Sequence, residues 1–121
     1  MARSYSPEKE LSIADFQDFL SKYPNDPRAP EAHLRLGDAL FAQKKYEQAE
    51  TEFDFVLQKY PESDTSRAAL LKKGLALAEH NQPLAINTLK EVVTKFPNTS
   101  EANTAQSKIR DLQPTRPPAK R

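Results

Sequence analysis

Apolar side chains recur along this chain at three- and four-residue intervals, the spacing of the buried face of an α-helix. They form six runs, and short polar segments rich in proline, asparagine or lysine separate them. The runs predict six helices, over about 7–23, 30–43, 46–59, 65–80, 83–95 and 99–112. We expect Pro7 to start the first helix with Ser6 as its cap. Only two glycines are present, which argues against a β-rich fold with many glycine turns, so the expected class is all-α.

One tripeptide closes three of the predicted helices. It is Lys22-Tyr23-Pro24, then Lys59-Tyr60-Pro61, then Lys95-Phe96-Pro97, at a period of 36 to 37 residues. The lysine suits the negative C-terminal end of a helix, and proline disfavours helix for the residue before it. The Asn, Asp, Glu, Ser or Thr that follows is suited to cap the next helix. A fixed period of this length indicates a repeat array.

Two glycines inside predicted helices support the same period. Gly37 and Gly74 hold one phase of successive repeats. Glycine within a helix costs about 1 kcal/mol relative to alanine, so we expect close approach of a neighbouring helix to compensate.

The helix pairs resemble the tetratricopeptide repeat. In the middle unit Leu36-Gly37-x-x-Leu40 precedes Ala49-x-x-x-Phe53 and Pro61, and in the third Gly74-x-x-Leu77 precedes Ala85-x-x-x-Leu89 and Pro97. The sequence departs from the family at His33 and Leu40, where Trp and Tyr are usual, and at Lys73, which replaces a leucine. The resemblance implies a right-handed superhelix of antiparallel helix pairs, an α-solenoid.

The expected organisation is a half repeat at 7–24, repeats at 28–61 and 65–97, and a capping helix at 99–112. The segment 113–121 is basic and proline-rich, so we expect it to be extended or disordered. Phe16 and Pro24 match the second helix of a pair whose first helix has no counterpart in the sequence. We therefore expect this chain to be a fragment of a longer protein.

Composition excludes several function classes. A net charge of +1 offers no reason to expect nucleic acid or a membrane surface as partner, and no apolar run has transmembrane length. Cysteine is absent, and His33 and His80 lie in different units without ligand spacing, so we expect no metal and no cofactor. We expect His33 to pack between helices. The acidic pairs Glu50/Glu52 and Asp15/Asp18 have the spacing of a solvated helix face, and no enzyme is expected.

Stacked helix pairs usually hold peptides on the side formed by the first helix of each unit. We therefore expect partner contacts from the second, fourth and sixth helices. The alternative is that Leu34, Leu71 and Leu75 are inter-helix core and the charges a solvated face. A lysine and asparagine clamp for a terminal carboxylate is not reproduced, because Asp38 and Leu75 stand where asparagines are needed. The candidate contacts are Glu31, Leu34, Arg35, Asp38, Phe41, Ala68, Leu71, Lys72, Leu75, Glu79, Asn103 and Gln106.

Three segments narrow the resemblance: Ile13-Ala14-Asp15-Phe16, Ala29-Pro30-Glu31-Ala32 and Tyr46-Glu47-Gln48-Ala49. They are similar to the C-terminal domain of the YbgF/CpoB family, periplasmic accessory proteins of the Tol-Pal system. This similarity implies a periplasmic interaction scaffold that binds TolA and helps to coordinate envelope constriction during division.

Two alternatives remain open. The outer-membrane assembly lipoprotein BamD also has Tyr-Pro-x-Ser turns like the one at 60–63, which leaves a BamD-like module as a second interpretation. A structural role is the third: the first helix pairs with another copy of the chain through Ile13, Phe16, Phe19 and Leu20.

Overall fold

Six α-helices account for most of residues 12–113, the part of the chain that the computed structural model describes. This confirms the predicted all-α class and the number of helices. None of the six is long and apolar enough to cross a membrane. The helices are α1 (Ile13–Lys22), α2 (Ala29–Ala42), α3 (Tyr46–Lys59), α4 (Asp64–Leu77), α5 (Gln82–Lys95) and α6 (Ser100–Leu112).

The start of α1 differs from the prediction. Ser12 has an extended backbone with ψ 168°, and its Oγ accepts a hydrogen bond from the Asp15 N–H at 3.1 Å. The Asp15 carboxylate in turn accepts from the Ser12 N–H at 3.0 Å, which completes a capping box. The predicted start at Pro7 is therefore wrong for this helix, and both Ser6 and Pro7 lie outside the described residues.

The three helix stops have one shared geometry. Tyr23, Tyr60 and Phe96 are the C-caps of α1, α3 and α5, with φ between −132° and −128° and ψ between 56° and 58°. Each cap N–H still donates to the carbonyl four residues earlier. The basic residue before each cap lies in the last helical turn, as predicted.

Capping of the next helix follows the prediction in the second and third copies only. Ser63 and Thr99 accept from the Ser66 and Ala102 N–H groups at 3.0 and 3.1 Å. In the first copy α2 begins after Arg28 without a side-chain cap. There the Asp26 carboxylate accepts from the backbone N–H and the guanidinium of Arg28 instead, and the turn is two residues longer than in the other copies.

The end of α4 also differs from the prediction. The helix ends at Leu77 rather than His80, and residues 78–80 form turns. The Asn81 N–H donates to the Leu77 carbonyl at 2.6 Å, and the Asn81 side chain then caps α5. The early end places His80 outside the helix.

The helices form two layers. Each helix packs against its neighbours in sequence, and α2 and α4, and α4 and α6, also contact each other. In the described part of the chain α1, α3 and α5 approach only helices of the other layer. Because only the α2, α4 and α6 layer is in mutual contact, the solenoid curves with that layer on its inner side. We call it the inner surface.

Two glycines set the spacing between paired helices. A Cβ on Gly74 would lie 2.6 Å from Leu89 Cδ2, and a Cβ on Gly37 would lie 2.8 Å from Phe53 Cδ1. Phe53 and Leu89 are both fully buried, so neither has room to move aside. Close helix approach is therefore the reason for glycine at these positions, as the sequence predicts.

Replacing Gly37 with alanine tests this contact. We expect Gly37→Ala to lower the free energy of unfolding by about 1–3 kcal/mol, because the new methyl group overpacks the Phe53 ring. Urea denaturation measures the change. In a double-mutant cycle with Phe53→Ala, the two changes should cost less together than their sum, since the smaller side chain admits the methyl group. A more stable Gly37→Ala variant would show that helix propensity outweighs packing there.

Candidate functional site

Charged side chains on the inner surface pair with one another. Lys72 Nζ of α4 lies 3.0 Å from Asp38 Oδ1 of α2, and both side chains are partly exposed. Arg35 pairs with Glu31 one turn away on α2, at 2.7 Å. Four of the predicted contact residues are therefore brought together as two ion pairs. The surface presents charge without a strong excess of either sign.

A further ion pair joins α4 to the next helix of the same layer. Arg67 Nε lies 3.3 Å from Glu101 Oε1, and both side chains are largely but not fully covered. This buried Nε nevertheless makes no hydrogen bond. The contact is thus mainly electrostatic. Neither residue was singled out from the sequence, because pairing between α4 and α6 depends on how the two units stack.

The apolar part of the inner surface is narrower than predicted. Leu34 is buried in the core cluster of α2, α3 and α4, so for this residue the core interpretation is correct. Leu71 and Leu75 are half-buried and pack against the core formed by α4, α5 and α6 while keeping part of each side chain accessible. Ala68 is half-buried beside them. These three form an apolar strip along α4.

The remaining predicted contacts lie apart from that strip. Phe41 is half-buried against the core and meets the Tyr46 ring edge to face, at 5.2 Å between centroids. Glu79 and Asn103 are exposed, the first in the turn after α4. Gln106 lines a groove between α5 and α6. The Gln106 side chain is exposed at the edge of α6 beside α5, and not in the apolar strip of the inner surface.

The apolar residues predicted for self-association have a partner within the chain. Ile13, Phe16 and Leu20 are half-buried against the core of α2 and α3. Phe19 lies 5.5 Å from the Tyr23 ring, and the Arg28 guanidinium covers it at 5.2 Å. The apolar face of α1 thus packs against α2 but keeps part of its area accessible, so self-association through these residues stays a prediction.

Both histidines pair with glutamates that were expected to face solvent. His33 Nδ1 lies 2.7 Å from Glu52 Oε1, and its ring stacks on Phe55 at 4.1 Å. This confirms that His33 packs between helices. His80 Nε2 hydrogen-bonds to Glu50 Oε2 on α3. The prediction that Glu50 and Glu52 are solvated is wrong. Helical spacing within α3 cannot show that histidines from other parts of the chain contact them. Residues 12–113 contain no group of three or more potential metal ligands.

A shallow concavity of about 330 Å³ surrounds His80 at the loop between α2 and α3. Its other lining residues include Lys44, Lys45, Tyr46 and Glu47. The Glu50 carboxylate raises the pKa of His80, first through their hydrogen bond and also through charge attraction, against a smaller opposing effect of burial. Folding therefore favours the protonated imidazole.

This pKa shift predicts a pH dependence of stability. The contribution of the His80–Glu50 pair is complete below the ordinary histidine pKa of about 6.5, and it is lost as the pH rises through the higher folded-state pKa. We expect the melting temperature to fall between about pH 6 and pH 8 more steeply in the native protein than in Glu50→Gln. His33 is present in both proteins and cancels in the comparison. Parallel curves would contradict the prediction.

Comparison with known families agrees with this geometry. Two family models, each described as tetratricopeptide repeat, match residues 8–64 and 68–99. Together the two matches take in most of α1 to α5, so the chain belongs to the tetratricopeptide-repeat family. No curated protein matches the chain. Repeats of this family are non-catalytic modules for protein interaction, which agrees with the paired charges and the apolar strip.

Proposed function

We propose that this protein is an interaction scaffold whose inner surface holds an apolar segment of a partner protein. The observation that carries the proposal is the strip of Ala68, Leu71 and Leu75. The strip lies in the layer formed by α2, α4 and α6. Its leucines pack against buried core residues and still keep accessible apolar area. Removing such apolar area from water favours formation of a complex.

The paired charges define what kind of segment fits. Asp38 and Lys72 already neutralise each other, as do Glu31 and Arg35. A strongly acidic or basic peptide would have to break these pairs and leave one member of each without a partner. An amphipathic helix or extended segment with apolar side chains toward α4 meets no such cost.

The more specific proposal is a periplasmic accessory role in the Tol-Pal system, with a TolA-like partner and a contribution to envelope constriction in division. Its support is the similarity of three segments to the YbgF/CpoB family: Ile13-Ala14-Asp15-Phe16, Ala29-Pro30-Glu31-Ala32 and Tyr46-Glu47-Gln48-Ala49. In the structure these segments begin α1, α2 and α3. They shape the N-terminal half of the scaffold.

Titration with a fluorescent peptide from the central domain of TolA tests both the Tol-Pal role and the inner surface as the binding site. We expect binding to the native protein, and about a tenfold loss of affinity in Leu75→Glu, because a carboxylate would be buried against the partner. The matched control is Leu84→Glu on α5, where leucine is 45% exposed and outside the inner surface. Circular dichroism verifies that both variants are folded.

Each result has a separate meaning. Absence of binding at high micromolar peptide would overturn the Tol-Pal proposal. If the peptide binds but Leu75→Glu behaves like Leu84→Glu, the inner surface is not the binding site. Because the local charges are already paired, affinity should change little when salt is raised from about 50 to about 300 mM, whereas a steep fall would indicate recognition by charge.

A further inference from the structure

A second groove lies between α5 and α6, with a volume of about 460 Å³. Val93 of α5 and Ile109 of α6 provide its apolar part, and both are half-buried against the core. Lys90 and Arg110 provide two cations, and both are exposed. Thr94 and Gln106 complete the lining. This groove does not include the strip of the inner surface.

The equivalent face of α4, one repeat earlier, shows what covers this side of an inner-layer helix. One period of 36 residues relates Gln106 and Arg110 of α6 to Leu70 and Gly74 of α4. Leu70 packs in one cluster with Leu89, and Gly74 is the position where Leu89 comes closest. That face of α4 is thus covered by α5. In residues 12–113 no helix covers the corresponding face of α6.

Two residues of α6, Gln106 and Arg110, differ in kind from their equivalents in α4, and this difference changes what that face is able to bind. Arg110 stands where Gly74 admits Leu89, so a helix cannot approach α6 as closely as α5 approaches α4. No carboxylate in the described part of the chain lies within 4.0 Å of the Lys90 or Arg110 charge, although the nearby Glu91 pairs with Lys95. The groove therefore combines an apolar floor with two cations that pair with no carboxylate of residues 12–113.

The sequence of this chain also indicates what does not fit. The segment 114–121 contains Arg116, Lys120 and Arg121 and no acidic residue, so its charge repels Lys90 and Arg110. In a second copy of the chain, Ile13, Phe16 and Leu20 of α1 are already half-buried against that copy's own core. Charge complementarity favours an acidic partner instead.

We propose that the groove between α5 and α6 is a second docking surface, which binds an acidic amphipathic helix of a partner protein. Apolar side chains of that helix contact Val93 and Ile109. Carboxylates on its flanks pair with Lys90 and Arg110. The Arg110 side chain keeps the axis of the bound helix farther from α6 than α5 is from α4. The scaffold then holds two partner segments by different chemistry, one by apolar contact on the inner surface and one by charge and apolar contact at α6.

The test uses a synthetic probe in two forms. One is an N-capped amphipathic peptide of about 18 residues, with leucines along one face and glutamates beside them, long enough to be helical in isolation. The other has glutamine at every glutamate. We expect the acidic peptide to bind the native protein and the glutamine peptide to bind about tenfold more weakly. Raising salt from about 50 to about 300 mM should weaken only the acidic peptide.

Variants locate the site. The double variant Lys90→Glu and Arg110→Glu should bind the acidic peptide about tenfold more weakly, while Lys22→Glu should bind it like the native protein. Lys22 is the control because it is exposed on α1, far from the groove in sequence, and pairs with the exposed Asp18. Equal affinity in the double variant and the control, or equal affinity for both peptides, would overturn the proposal.

Two further readouts separate this proposal from the proposed function. Amide chemical-shift changes on adding the acidic peptide should be concentrated at Val93 and Ile109, and Leu75→Glu should leave the affinity unchanged. Changes confined to Leu71 and Leu75 would assign the peptide to the inner surface and overturn the second site.

Sedimentation of the native chain alone should give a monomer. Association that the double variant abolishes would make a second copy the occupant and overturn the choice of partner.

Discussion

The close contact between a helical glycine and a large side chain of the next helix determines the spacing of the whole array. Gly37 contacts the Phe53 ring and Gly74 contacts Leu89, so α2 lies directly against α3 and α4 directly against α5. Because both large side chains are fully buried, the two layers have no freedom to separate. In residues 12–113 the contact has no counterpart at Arg110, one repeat after Gly74, and no helix covers that face of α6.

Helix α4 is the centre of the charge pattern. Lys72 reaches Asp38 on α2, Lys73 reaches Asp54 on α3 at 2.7 Å, and Arg67 reaches Glu101 on α6. Each of these partly exposed pairs contributes about 0–1 kcal/mol, too little to hold the fold by itself. Their effect is to fix the position of α4 relative to its neighbours, because a shift of α4 along them would separate all three pairs at once. The same pairing leaves the inner surface without a strong charge, and so favours an apolar partner.

The two candidate surfaces differ because α4 and α6 differ. On α4 the cations are used to join helices, and the accessible leucines are left for a partner. On α6 and the adjoining face of α5, Arg110 and Lys90 pair with no carboxylate of the described residues, and Val93 and Ile109 lie beside them. One helix pair thus offers apolar contact and the next offers charge. A scaffold built in this way is able to hold two partner segments that do not compete.

Most helix bounds followed from the sequence alone, because the stops at Lys59-Tyr60-Pro61 and Lys95-Phe96-Pro97 act through local backbone geometry and capping. The glycine contacts were predictable too, since only a close neighbour explains glycine inside a helix. Pairing between distant residues was not. That Leu34 is core while Leu71 remains accessible, and that Glu50 meets His80, depends on how the units stack. One-dimensional spacing tells which residues share a helix face, and only the tertiary structure decides what covers it.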